Sequence, residues 1–142
     1  MTIGRLAFSP APGGNGDRAF LRIQIDEAEY LTACFLGDDL ANLVRRFPEM
    51  AEEGRRFDLF FSNASPFSVS VTRRGPELYL RVSDSFDGGV FEDRLGFETL
   101  RGALAGLVEA VLRAPGTGED WRRALAEGLP ALENWRWPVK EI

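Results

Sequence analysis

The chain has 142 residues, 44% of them hydrophobic and 27% charged, with a net charge of −5. That length and balance suit one folded domain, residues 1–142, and are those of a globular rather than a disordered chain. With no histidine and one cysteine, it excludes a histidine base, an intramolecular disulfide and a cysteine-cluster metal site.

In chain order, residues 3–8 read as a short strand, and Ser9 to Asp17, dense in Pro and Gly, as a loop. Residues 1–17 are therefore expected as a strand with a flexible loop, ahead of a core at 18–113 and a helix and Trp-containing tail at 114–142. Leu21, Ile23 and Ile25 alternate with Arg22, Gln24 and Asp26, the period of a half-buried strand. Asp26 to Glu29 turns the chain, and Tyr30 to Leu36 returns. Leu40, Leu43, Val44 and Phe47 then share one helical face, with Asp38 as the expected cap and Asp39 at the favourable end of the dipole. Pro48 stops this helix near Arg46 or starts a new turn through Met50 and Ala51.

Phe57, Leu59 and Phe61 alternate in a further strand. Phe67 to Thr72 and Leu78 to Ser83, joined by Arg73-Arg74-Gly75-Pro76, form the clearest hairpin signal in the chain. Asp87-Gly88-Gly89 makes another turn, and Val90 to Leu95 a last strand. A helix follows with Phe97, Leu100, Leu104, Leu107, Val108, Val111 and Leu112 on one face. A shorter one runs from about Glu119 through Glu127, with Trp121, Ala124 and Leu125 inward, before an irregular tail. The expected fold is α+β: one antiparallel twisted sheet of six or seven strands, with two or three helices on one face.

The acids are unevenly spread. Residues 26–53 sum to −6, residues 84–98 to −4, and the rest to +5. This disfavours direct nucleic-acid binding, which needs Lys and Arg against phosphates. It favours a basic protein partner on electrostatic grounds. The expected partner-binding residues are Asp84, Asp87, Glu92 and Asp93, with Asp38 and Asp39 next. A separate aromatic interface is expected at Trp135, Arg136 and Trp137, since Trp and Arg are enriched where proteins meet. The competing reading of that tail is a segment folded back over the sheet or a helix.

Chemistry is otherwise sparse. Gly13-Gly14-Asn15-Gly16 lacks the Lys-Ser/Thr of a phosphate loop. Placing Asp87 and Gly88 at calcium-loop positions five and six leaves Ser83, Ser85 and Arg94 where carboxylates belong. No serine sits in a Gly-x-Ser-x-Gly elbow. Carboxylate pairs such as Glu92 with Asp93 would suit glycoside hydrolysis, but neighbours on a strand point to opposite faces. The chain is expected to be no enzyme and to need no metal or cofactor. Its N-terminus lacks a secretory signal and no apolar run approaches the ~20 residues of a membrane span, so a cytoplasmic location is expected. The only lysine is Lys140, an arginine bias associated with GC-rich bacterial genomes.

The order over residues 18–113, together with a pI near 4.8, resembles the small acidic immunity proteins of bacterial polymorphic-toxin systems. That resemblance implies a cytoplasmic inhibitor that blocks a toxin enzyme, for instance a nuclease with a positive cleft. Two other readings stand beside it. One is a secretion chaperone or adaptor, which admits a homodimer and predicts an exposed apolar groove. The other is a small-molecule or carbohydrate-binding domain, which requires a closed pocket lined by Phe and Tyr.

Overall fold

Alternating apolar runs pair with their nearest neighbours, across two-residue turns at 26–27 and 75–76, and the chain does this in two separate blocks. The computed structural model describes residues 2–15, 18–60, 67–84, 90–113 and 119–137. The first block is β1 (Leu6–Asn15), β2 (Arg18–Ile25) and β3 (Ala28–Phe35). The helix α1 (Leu36–Arg46) and a 3-10 turn (Phe47–Ala51) lead to the second: β4 (Arg56–Phe60), β5 (Phe67–Arg74), β6 (Glu77–Asp84) and β7 (Val90–Leu95). The helices α2 (Phe97–Arg113) and α3 (Glu119–Asn134) close the order.

The α+β class is as expected, but the single sheet is not. The strands form two antiparallel sheets, ordered β1-β2-β3 and β4-β5-β6-β7. Hairpins form locally, whereas joining the blocks would need an edge strand of the first, β1 or β3, to pair with an edge strand of the second, β4 or β7, which lie beyond a helix and a 3-10 turn in the chain. Strongly twisted sheets relieve their twist by dividing into packed layers. The N-terminal segment straps the two together. Thr2 forms a parallel bridge to Arg94, and the Ile3 N–H donates to the Arg94 carbonyl at 2.8 Å.

One buried cluster draws on both sheets and all three helices. Leu21, Ile23 and Ile25 come from β2, Val69 and Val71 from β5, and Leu78, Leu80 and Val82 from β6. From α2 come Leu100, Leu104, Leu107, Val108 and Val111, the face that the helical spacing predicts. α2 runs along β1, and α3 packs across both α1 and α2. Arg122 on α3 donates to the Val111 and Leu112 carbonyls at 3.4 and 3.1 Å, meeting orphan acceptors at the end of α2.

Three boundaries depart from the expected ones. β1 runs through the Pro/Gly segment to Asn15, with a register shift between Ala11 and Asn15. β1 is an edge strand, where a proline costs no ladder bond. α1 starts at Leu36, so Asp38 and Asp39 lie within its first turn and Asp38 is not the cap. α3 continues through Pro130 to Asn134 where an irregular tail is expected from 130. Burial of Leu125 and Leu132, two turns apart, outweighs the lost hydrogen bond at the proline. The Asn134 amide returns a bond to the Pro130 carbonyl at 2.8 Å.

The β2–β3 turn shows how one acid is consumed structurally. Asp26 has φ 51°, a left-handed conformation that aspartate tolerates. Its Oδ1 accepts the Gly4 and Arg5 N–H groups at 3.0 and 2.9 Å, and its own N–H donates to the Arg5 carbonyl at 2.9 Å. Asp26→Ala should lower stability by about 1–2 kcal/mol, through two lost acceptor contacts and a Cβ-only residue at positive φ. Asp26→Asn should retain most of it. Urea denaturation of the pair checks this, and equal midpoints for both variants would contradict the role.

Candidate partner-binding surface

The four-stranded sheet has two unlike faces because its strands alternate. One face carries Phe57, Val69, Val71, Leu78, Leu80, Val82 and Leu95 into the core. The other is polar and is left open by the helices. On it stand Arg56 and Asp58 of β4 and Ser68, Thr72 and Arg74 of β5, with Ser70 on the same side of the strand but buried. β6 adds Glu77, Tyr79, Arg81 and Ser83, and β7 adds Glu92 and Arg94. Antiparallel sheets routinely bury one face and present the other.

Charges on this open face are organised in pairs. Arg56 meets Asp58 at 2.9 Å, Arg74 meets Glu92 at 3.0 Å, and Arg94 meets Glu77 at 3.0 Å. Tyr79 Oη donates to Glu77 at 3.1 Å, and the Arg74 guanidinium lies 4.5 Å from the centre of the Tyr79 ring. The hydrogen bond from Arg94 to Glu77 raises the guanidinium pKa above its ordinary value. Exposed pairs of this kind contribute little stability; their main effect is to cancel local charge.

The expected acidic residues are therefore dispersed. Glu92 stands on the open face and is tied to Arg74. Asp93 lies on the core-facing side of the same strand, its Cα opposite Leu80, and its Oδ1 accepts the Arg94 N–H at 2.8 Å. Asp84 ends β6, its Cα opposite Phe67. Asp38 and Asp39 belong to α1 in the other half of the chain. Asp87 lies outside the described residues. The strand register thus separates Glu92 from Asp93.

The wider acidic segment 26–53 is engaged in the same way. Glu29 pairs with Arg22 at 2.7 Å and Glu52 with Arg55 at 2.9 Å. Glu53 accepts the Gly75 N–H at 2.9 Å and lies 3.4 Å from Arg73. Glu49 sits between Arg46 at 2.7 Å and Arg55 at 2.8 Å. Its hydrogen bond from Arg46 holds the Glu49 carboxyl below the usual carboxylate range. Arg22, Arg55 and Arg73 come from the positive remainder of the chain to meet these acids, and Arg46 from within the segment itself.

The aromatic residues take the folded-back arrangement. Trp135 packs edge-on against Phe47 and Phe97, each with centroids 5.1 Å apart, and Trp137 stacks on Phe97 at 5.3 Å. Arg101 donates to the Trp135 carbonyl and pairs with Glu98. Arg136, between the two tryptophans, is exposed. Trp137, Phe97, Glu98, Glu77 and Arg94 line an open groove of about 380 Å³ at the end of the sheet face. A second open groove of about 380 Å³ lies between α1 and α3, lined by Val44, Phe47, Ala124, Ala131 and Trp135, with Arg45 and Glu127.

Among the described residues, no three His, Cys, Asp or Glu side chains converge on a metal-sized site. No described helix is long and apolar enough to cross a membrane. Comparison with protein-family models, with curated proteins and with solved structures finds no match to this chain.

The residues that sequence reasoning passed over are Arg74, Glu77, Arg81 and Arg94, all on the open face. Their signal was the hairpin itself. With Arg74-Gly75-Pro76-Glu77 as its turn, counting by twos puts Arg74, Glu77 and Arg81 opposite the buried row, and the same count back from Leu95 along β7 does so for Arg94.

Proposed function

We propose that this chain is a non-catalytic protein-binding domain, and that its specific role is inhibition of a toxin enzyme in the manner of an immunity protein. One observation carries the binding reading: the polar face of β4–β7 stands open beside the groove at Trp137. Four strands span about 19 Å, and six residues along a strand about 20 Å. That face is on the order of 400 Å², roughly half of one partner's share in a standard interface. The adjoining groove extends it. The net charge of −5 supports a partner that is basic overall, by long-range attraction. It does not act here through a bare acidic patch, since the acids described on this face are paired with arginines.

The test is co-purification with the product of the neighbouring reading frame from the native host. Thr72→Arg with Ser83→Arg adds two long side chains to the open face and leaves the core untouched. We expect one partner to be retained by the unmodified chain, lost by the double variant, and inhibited as an enzyme when bound. Retention by both, with circular dichroism unchanged, would remove this face from the reading.

The groove between α1 and α3 favours a second reading, that of a secretion chaperone or adaptor. Light scattering separates the two. A stable homodimer would favour the adaptor, and a monomer that forms a one-to-one complex would favour the inhibitor.

A further inference from the structure

We infer that Arg81 is the anchor of the open sheet face, and that it takes an aspartate or glutamate side chain of the partner protein; this rests on the protein-binding reading above. Arg81 lies on β6, a central strand, with Ser70 of β5 and Glu92 of β7 as its Cα partners. Each acid on the face is already engaged: Asp58 by Arg56, Glu77 by Arg94 and Glu92 by Arg74. Among the described residues, Arg81 has no ion pair or hydrogen bond of its side chain, and it is exposed. Among the described residues of this face, four guanidiniums stand against three carboxylates, and the pairing places the one positive charge in excess on Arg81.

The surroundings fit a carboxylate. Short side chains lie around Arg81, the half-buried Ser68 and Thr72 of β5 and Ser83 of β6, while Ser70 directly opposite it is buried. A guanidinium presents a planar fork that a carboxylate meets with two parallel hydrogen bonds, and neighbouring hydroxyls can donate to its remaining lone pairs. A phosphate backbone fits less well, because one arginine left unpaired among the described residues of this face cannot, on a chain of net charge −5, offset repulsion along a polyanion. A basic side chain would meet a cation with no free acid beside it. The partner is thus expected to be basic overall and to place one acid at the centre of its contact.

Two measurements test the anchor. In the first, the full ¹⁵N-labelled chain is titrated with N-acetylglutamate methylamide against a chloride control at matched ionic strength. The Arg81 Nε–H and the Ser70 and Glu92 amides should shift saturably. The half-effect concentration should be at least about fivefold lower than at Arg45 and Arg123, exposed arginines on α1 and α3. Arg81→Lys should weaken the effect roughly threefold or more, since an ammonium offers no fork. Shifts no stronger at Arg81 than at the reference arginines would overturn the anchor, as would tighter binding of methyl phosphate than of the carboxylate. In the second, Arg81→Glu should weaken a captured partner by about 100-fold, and a single acid-to-arginine change on the partner should restore binding. A partner held equally well by Arg81→Glu and by the unmodified chain overturns the anchor and leaves the protein-binding reading standing. A saturable carboxylate site with no partner retained does the reverse.

Discussion

Trp135→Ala is expected to destabilise the fold by about 3 kcal/mol, a fall in Tm on the order of 10 °C for a chain of this size. Trp135 follows α3 directly and is half-buried, so it looks at first like a surface anchor. Its ring nevertheless lies 5.1 Å from both Phe47 and Phe97 and 6.2 Å from Trp137. Removing it strips three aromatic contacts at once, each worth about 0.5–1.5 kcal/mol beyond the area it buries. It also opens the end of the core where α2 begins. Arg136→Ala, one residue on, should change stability by less than about 0.5 kcal/mol. Calorimetry of the two variants separates the alternatives. If Trp135→Ala kept its melting temperature and lost only partner affinity, the residue would be an interface anchor.

Gly128→Val should cost about 2–3 kcal/mol, and the reason is a single close approach. A Cβ built at Gly128 would lie 2.7 Å from Val44 Cγ1, where α3 crosses α1. Real Cβ atoms do not sit so close to another carbon, so the Val44 side chain or one of the two helices must shift. Helix propensity opposes the penalty. Alanine is favoured over glycine by about 1 kcal/mol in a helix interior, while overpacking a core costs about 1–3 kcal/mol. Gly128→Ala should therefore be near neutral to moderately destabilising. Valine adds two methyls to the same collision and lacks most of alanine's gain. Combining Gly128→Ala with Val44→Ala should recover at least about 1 kcal/mol relative to the sum of the single changes, since the two sites share one contact. Additive denaturation midpoints would show that the helices do not meet there.

Much of the fold was readable from local pattern. The alternation of Leu78, Leu80 and Val82 with Tyr79, Arg81 and Ser83 marks β6 and both of its faces. Leu100, Leu104, Leu107 and Val111 mark the buried side of α2. Gly75 in the β5–β6 turn has φ 63° and precedes a proline, as the sequence around it implies. These features depend on residues within one element or one hairpin, where the side-chain period is set by backbone geometry. The long α3 was less readable because Pro130 argues against a helix locally. Burial of Leu132 outweighs that local preference, and it comes from contact with other elements.

The candidate surface was partly readable. The separation of Glu92 from Asp93 follows from strand parity alone. The occupation of Glu92 by Arg74 and of Glu77 by Arg94 does not, since these partners lie 18 and 17 residues apart and meet through the register of β5, β6 and β7.

By itself, then, the amino-acid order determined most of the strands and helices, the β2–β3 and β5–β6 hairpins, the apolar faces and the lack of histidine chemistry. Tertiary structure alone decided that the strands divide into two sheets, and which charges on the open face remain uncompensated. The physical reason is range. Backbone periodicity acts over a few residues and is written in the local sequence. A net charge per segment says nothing about which arginine from a distant strand will come within 3.0 Å of which acid. Among the described residues, it is the assembled sheet that singles out Arg81 as the guanidinium of this face left over after pairing.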